Sequence, residues 1–88
     1  MKKFLNVEMI ICLVGGTWYN DYVLIPYPEA GEMIDETKFK AKQKWQQDET
    51  EKNNKLPKGE IIPIVTYIGV YSYNMDEPVD ENGDFIDE

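Results

Sequence analysis

Apolar and polar positions alternate along the first quarter of the chain. Residues 3 to 14 are rich in β-branched and apolar side chains, and the pattern predicts a strand. Gly15-Gly16 is a hairpin-turn signal, and residues 17 to 27 read as the returning strand. A two-residue turn would set Leu13 opposite Trp18, Ile11 opposite Asn20, Met9 opposite Tyr22 and Val7 opposite Leu24. The core face would then carry Leu5, Val7, Met9, Ile11 and Leu13 with Trp18, Tyr22 and Leu24. The other face is half polar, as expected of an exposed sheet face.

Pro26, Pro28 and Gly31 close the second strand. Asp35 or Thr37 is positioned to cap a helix running to about Glu49. Ile34, Ala41 and Trp45 line one helical stripe, whereas Phe39 falls on the opposite side. Thr50 to Glu60 reads as a polar loop, and residues 61 to 75 as a third strand. That strand would carry Ile62, Ile64, Ile68 and Val70 on one face and Val65, Tyr67, Tyr71 and Tyr73 on the other. Pro26 and Pro63 cannot donate to a central ladder, so the strands bearing them belong at the edges. The predicted fold is α+β: a three-stranded antiparallel sheet, connected β-β-α-β in the order 2-1-3, with one helix on one face. Residues 1–75 form a single small domain in this reading, and residues 76–88 an acidic tail.

Charge sharpens that division. The net charge is −8. Asp76, Glu77, Asp80, Glu81, Asp84, Asp87 and Glu88 are the acids of the last 13 residues, which hold no lysine. The remaining ten acids and all nine lysines leave the body at a net charge of −1. A like-charge run of this kind is either a solvating tail or an interaction tail for a basic partner. Fully stretched, it would reach about 40 Å along a groove made for a phosphate backbone. Asn82-Gly83 is a preferred hairpin pair and would set Val79 opposite Ile86, in a short hairpin expected to be ordered by a partner. Gly83 does not fit the helix–loop–helix calcium motif, because position 12 of such a loop would lie past Glu88.

Composition excludes much chemistry. The chain has no His and no Arg, one cysteine (Cys12) and one serine (Ser72). Ser–His and Cys–His nucleophile pairs are impossible within one chain, as is a bidentate arginine clamp. No phosphate loop, dinucleotide fingerprint, HExxH or CxxC occurs. The expectation is a protein that is not a stand-alone enzyme and has no catalytic residues, cofactor or metal site. A single cysteine forms no internal disulfide, which fits a reducing, cytoplasmic setting. The start Met1-Lys2-Lys3-Phe4-Leu5 imitates a signal peptide, but Asn6 and Glu8 break the apolar run that follows. Lys38, Lys40, Lys42 and Lys44 spread around the helix, read as a solvated face rather than a phosphate stripe.

Tyr67, Tyr71 and Tyr73 stand at three of four alternate positions of the third strand. Tyrosine is enriched at binding hot spots, and this strand runs directly into the acids. The expected partner-binding set is therefore Tyr67, Tyr71 and Tyr73 with the seven acids from Asp76 to Glu88. In size, acidity and lack of motifs the chain resembles the small inhibitors encoded by phages and mobile elements, anti-CRISPR proteins among them. The likeness is one of general character and carries no residue motif. It implies a non-catalytic module that occupies the nucleic-acid channel of a larger basic host protein with carboxylates. It implies no direct contact with nucleic acid or membrane. The alternative is a small assembly protein that forms a homodimer through its open sheet face or an edge strand, with the tail serving solubility.

Overall fold

A computed structural model describes residues 2–86. The chain forms β1 (Phe4–Leu13), β2 (Trp18–Pro26), α1 (Ile34–Asn54) and β3 (Val65–Tyr73). The strands make one antiparallel sheet in the order β2-β1-β3. The proline-free β1 takes the centre, as the ladder requires. Helix α1 covers one face.

The register between β1 and β2 differs from the expected one by a single residue. Cys12 pairs with Trp18, Ile10 with Asn20, Glu8 with Tyr22 and Leu5 with Ile25. Three residues, Val14 to Gly16, make the turn rather than two. The Leu13 amide donates to the Thr17 carbonyl (2.8 Å) and the Gly16 amide to the Leu13 carbonyl (3.1 Å). Gly15 and Gly16 sit at φ 95° and 89°, a backbone region that only glycine enters freely. One residue of slip turns every β2 side chain to the opposite face. Val23 and Ile25 are therefore buried, while Trp18 and Tyr22 are exposed on the face away from the helix. Leu24 goes with them.

Leu5, Val7, Met9 and Ile11 of β1 are fully buried and form the centre of the core with Val23, Ile25, Ala41 and Trp45. Each such aliphatic side chain contributes on the order of 1.5–3 kcal/mol by leaving water. The helix reaches this core through Thr37, Ala41 and Trp45, spaced four apart. Ala41 has no bulk to hold the helix off the sheet, and Trp45 fills the space beside it. The Trp45 indole Nε1 donates to the Asp21 carboxylate at 2.8 Å. That bond gives a partner to the one acid the observed register points toward the helix.

Three expectations for the helix are corrected. Met33 is the N-cap, with no side-chain cap; neither Asp35 nor Thr37 takes that role. Asp35 and Glu36 instead lie in the first turn, where carboxylates offset the helix dipole. Ile34 has the right angular position but sits beside the open Gly31–Met33 loop and remains exposed. The helix also continues to Asn54, because nothing between Thr50 and Asn54 breaks it. Phe39 is exposed on the outer face, as its spacing implies.

β3 carries two bulges, at Tyr71 and at Thr66, where two of its residues oppose one of β1. They break the expected alternation. Val65, Ile68, Val70 and Tyr73 pack against the core, whereas Tyr67 pairs with Cys12 on the open face. After β3 the chain folds back. Val79 forms a bridge to Phe4, with paired bonds of 2.8 and 2.9 Å, and is buried. It also bridges Phe85 rather than facing Ile86.

Replacing Trp45 by Phe removes the donor to Asp21 and part of the core volume, and is expected to cost about 1–3 kcal/mol in urea unfolding. Phe39→Ser, on the outer face of the same helix, is expected to change stability by less than about 0.5 kcal/mol. Equal losses in the two variants would mean that the helix docks on a different face.

Candidate binding surface

Directly opposed residues in an antiparallel sheet share a face. The face away from α1 is therefore built in cross-strand rows. Trp18, Cys12 and Tyr67 make one row; Asn20, Ile10 and Gly69 the next; Tyr22, Glu8 and Ser72 the third. Nothing in the fold covers these rows.

The first row is the most apolar. β2 and β3 flank β1, so their backbones lie about 10 Å apart. The Trp18 and Tyr67 ring centroids are nevertheless only 5.7 Å apart, tilted at 55°. The two rings lean together over Cys12, whose exposure falls to 8%. Their outer surfaces stay in water, with Trp18 55% and Tyr67 51% exposed. Gly69 makes this possible. A Cβ there would lie 2.6 Å from the Tyr67 hydroxyl and 2.8–2.9 Å from its ring, so Tyr67 lies across the glycine.

The third row is polar. The Glu8 carboxylate accepts from the Asn20 amide (3.0 Å) and from the Tyr22 hydroxyl (3.3 Å). The negative charge of Glu8 beside it, with slight desolvation and the hydrogen bond, raises the Tyr22 pKa above its ordinary value. Tyr22 therefore stays a neutral donor. No lysine occurs on any of the three strands. A stacking platform for single-stranded nucleic acid combines aromatics with basic surroundings, and this face lacks the second ingredient.

At the far end of the face stands a further row, Phe4, Val79 and Phe85. It leads into the acidic turn. Asp80 organises that turn: its carboxylate accepts from the amides of Asn82 (2.8 Å) and Asp84 (3.1 Å), and its own amide donates to the Asp84 carbonyl (2.9 Å). Gly83, at φ 86°, supplies the left-handed position. The Asn74 side chain caps the preceding turn by accepting from the Asp76 amide, and the Tyr27 hydroxyl donates to the Met75 carbonyl at 2.7 Å. Asp76, Glu77, Glu81 and Asp84 are exposed on this scaffold, and Asp80 is half-buried. Asp87 and Glu88 lie outside the described residues.

The tyrosines of β3 do not act as one set. Tyr67 and Tyr71 are exposed, Tyr71 at a bulge, whereas Tyr73 is half-buried on the helix side against the core. Trp18 and Tyr22 belong to the open face, although a two-residue turn assigned them to the core. Gly15-Gly16 marks the turn without fixing its length, since two successive positive φ values also suit a two-residue hairpin.

Among the described residues, no group of three or more His, Cys, Asp or Glu side chains is placed to hold a metal ion. No helix is long and apolar enough to cross a membrane. Comparison with protein families, with characterised proteins and with solved structures finds no match to this chain.

Gly69→Val is expected to push the Tyr67 ring off the glycine and open the roof over Cys12. The Cys12 thiol should then react faster with a chromogenic disulfide, and the near-ultraviolet circular dichroism of Trp18 should weaken, with far-ultraviolet signal retained. Unchanged thiol kinetics in a folded variant would show that the two rings do not shield Cys12.

Proposed function

We propose that this protein is a non-catalytic binding module that docks on a larger, basic protein, in the manner of a small inhibitor covering a nucleic-acid-binding surface. The observation that carries the proposal is the layout of the open sheet face. The exposed aromatics Trp18 and Tyr67 form a row at one end, Tyr22 lies midway, and the turn bearing Asp76, Glu77, Asp80, Glu81 and Asp84 stands at the other end. Rigid aromatic rings lose little side-chain entropy on docking and dominate interface energetics. The carboxylates would supply long-range attraction and orientation.

The acidic segment is held as a scaffold by the Phe4–Val79 bridge and the Asp80 turn, which favours presentation of carboxylates at fixed positions over a freely extended tail. A rigid presentation costs less ordering on binding than a mobile tail would. The polar, lysine-free face disfavours nucleic acid as a direct ligand.

Removing the segment at Met75 would also remove Val79 from the sheet, so charge is better tested by substitution. Asp76→Asn, Glu77→Gln, Glu81→Gln and Asp84→Asn together keep Asp80 and the turn. The expected result in capture from lysate is a nucleic-acid-binding protein held by the native chain, released by moderate salt and by competing duplex, and weakened tenfold or more by the combined variant. Each rim charge changes mainly the association rate, and screening over about 8 Å at physiological ionic strength sets the salt dependence. Trp18→Ala is expected to weaken the same complex without changing its salt dependence. Capture that ignores both salt and the four substitutions would overturn the charge-based part of the proposal.

A further inference from the structure

The two edges of the sheet are protected very differently. β2 carries Asp21 and Pro26, and β3 carries two bulges, at Thr66 and Tyr71; charge, proline and bulges are all devices by which natural sheets blunt edge pairing. β3, Val65-Thr66-Tyr67-Ile68-Gly69-Val70-Tyr71-Ser72-Tyr73, carries no charge and no proline over nine residues. It is a strand of β-branched and aromatic residues with an open ladder.

Its sequence is also close to a palindrome about Gly69. In an antiparallel pairing of this strand with itself, Ile68 faces Val70, Tyr67 faces Tyr71, Thr66 faces Ser72 and Val65 faces Tyr73. The first three pairs match residues of like size and polarity, and Val65 with Tyr73 sets a β-branched residue against an aromatic, combinations that favour cross-strand contact.

Backbone direction agrees with the same axis. Phe4 bonds to Val79 and Val14 to Ile64, both on the β3 side of β1, whereas Leu13 bonds to Thr17 on the β2 side. By alternation the even residues of β1 face β3, so their partners Tyr67, Gly69 and Ser72 point inward. Ile68 and Val70 therefore present their amide and carbonyl groups outward. They stand symmetrically about Gly69, as a hydrogen-bonded pair across a two-fold axis requires.

Charge and area point the same way. The antiparallel arrangement sets the acidic end of one copy, beyond Tyr73, beside the connector of the other, whose Lys55, Lys58 and Glu60 leave it at a net charge of +1. The chain exposes 6659 Å² for a mass of 10.3 kDa, against about 5,400 Å² for a compact monomer of that size. The excess, roughly 1,300 Å² per chain, is larger than the ~800 Å² that a standard interface buries on each partner.

We propose that a second copy of this chain pairs with β3 edge to edge, antiparallel about a two-fold axis at Gly69, to form a continuous six-stranded sheet with both helices on one face. The aromatic row Trp18–Tyr67 then continues into Tyr71 of the second copy. The proposal is independent of the partner proposed above and is read on the purified protein alone.

Sedimentation of the native chain at rising concentration is expected to show a dimer. Tyr71→Lys puts a charge on the exposed bulge and should halve the mass while leaving the far-ultraviolet spectrum unchanged. Val70→Pro removes an outward amide without touching the β1 ladder and should do the same. In a Cys12→Ala background, where the new thiol is the only one, Gly69→Cys should cross-link two copies under mild oxidation, because the axis passes beside it. Ser72→Cys should not, since its copies would stand about 20 Å apart. A native chain that stays monomeric at every concentration, a dimer that survives Tyr71→Lys, or equal cross-linking of the two cysteine variants overturns the proposal. If Val70→Pro fails to fold, Tyr71→Lys and the cysteine pair decide the matter.

Discussion

The β1–β2 turn has three residues, with Gly15 and Gly16 both at positive φ, and every face of the sheet follows from that length. With Cys12 opposite Trp18, the inward side of β2 is Tyr19, Asp21, Val23 and Ile25. The two β-branched residues meet the fully buried stripe of β1. Asp21 is brought under the helix and is matched there by the Trp45 indole. The outward side becomes Trp18, Asn20, Tyr22 and Leu24, and the open face is made at the same stroke as the core.

The core that results is small. Four side chains of β1 supply its centre, and the helix adds little beyond Ala41 and Trp45. Most of α1 is polar, and its lysines point into solvent, where Lys40 and Lys44 pair with Glu32 and Asp48. A chain of this length has limited apolar material to bury. Here a good part of it is not buried at all: Trp18, Tyr67, Tyr22 and Tyr71 remain in water on one face, and Ile61 and Ile64 on the connector. Exposed apolar surface that the fold leaves uncovered is the usual mark of a contact site.

Charge is sorted along the same long axis. The molecule measures 46 × 24 × 17 Å, and Asp76, Glu77, Asp80, Glu81 and Asp84 gather at the end where β1 begins. Lys55 and Lys58 sit in the connector that enters β3 from the other end. A partner would meet an aromatic surface first and carboxylates beyond it, and a second copy would meet an uncharged strand between two oppositely charged ends. The open face and the β3 edge meet at Tyr67 and Tyr71, so occupation of one would extend the other rather than compete with it.

Much of the architecture was legible in the amino-acid pattern, for local reasons. Alternation marked the strands, the prolines placed two of them at the edges, and the i, i+4 spacing of Ala41 and Trp45 fixed the inner side of the helix. Missing histidine and arginine limited the chemistry before any coordinates. The composition of the open face was not legible, because it depends on non-local registration. One residue of turn length decides whether Trp18 and Tyr22 are core or surface. The bulge at Tyr71 puts Tyr73 on the face opposite Tyr67, although alternation in the sequence assigns the two to one face. The acids after Met75 looked like a tail because nothing nearby in sequence could hold them. Their anchor is Phe4, at the opposite end of the chain, and only the folded sheet brings that partner within hydrogen-bonding distance of Val79.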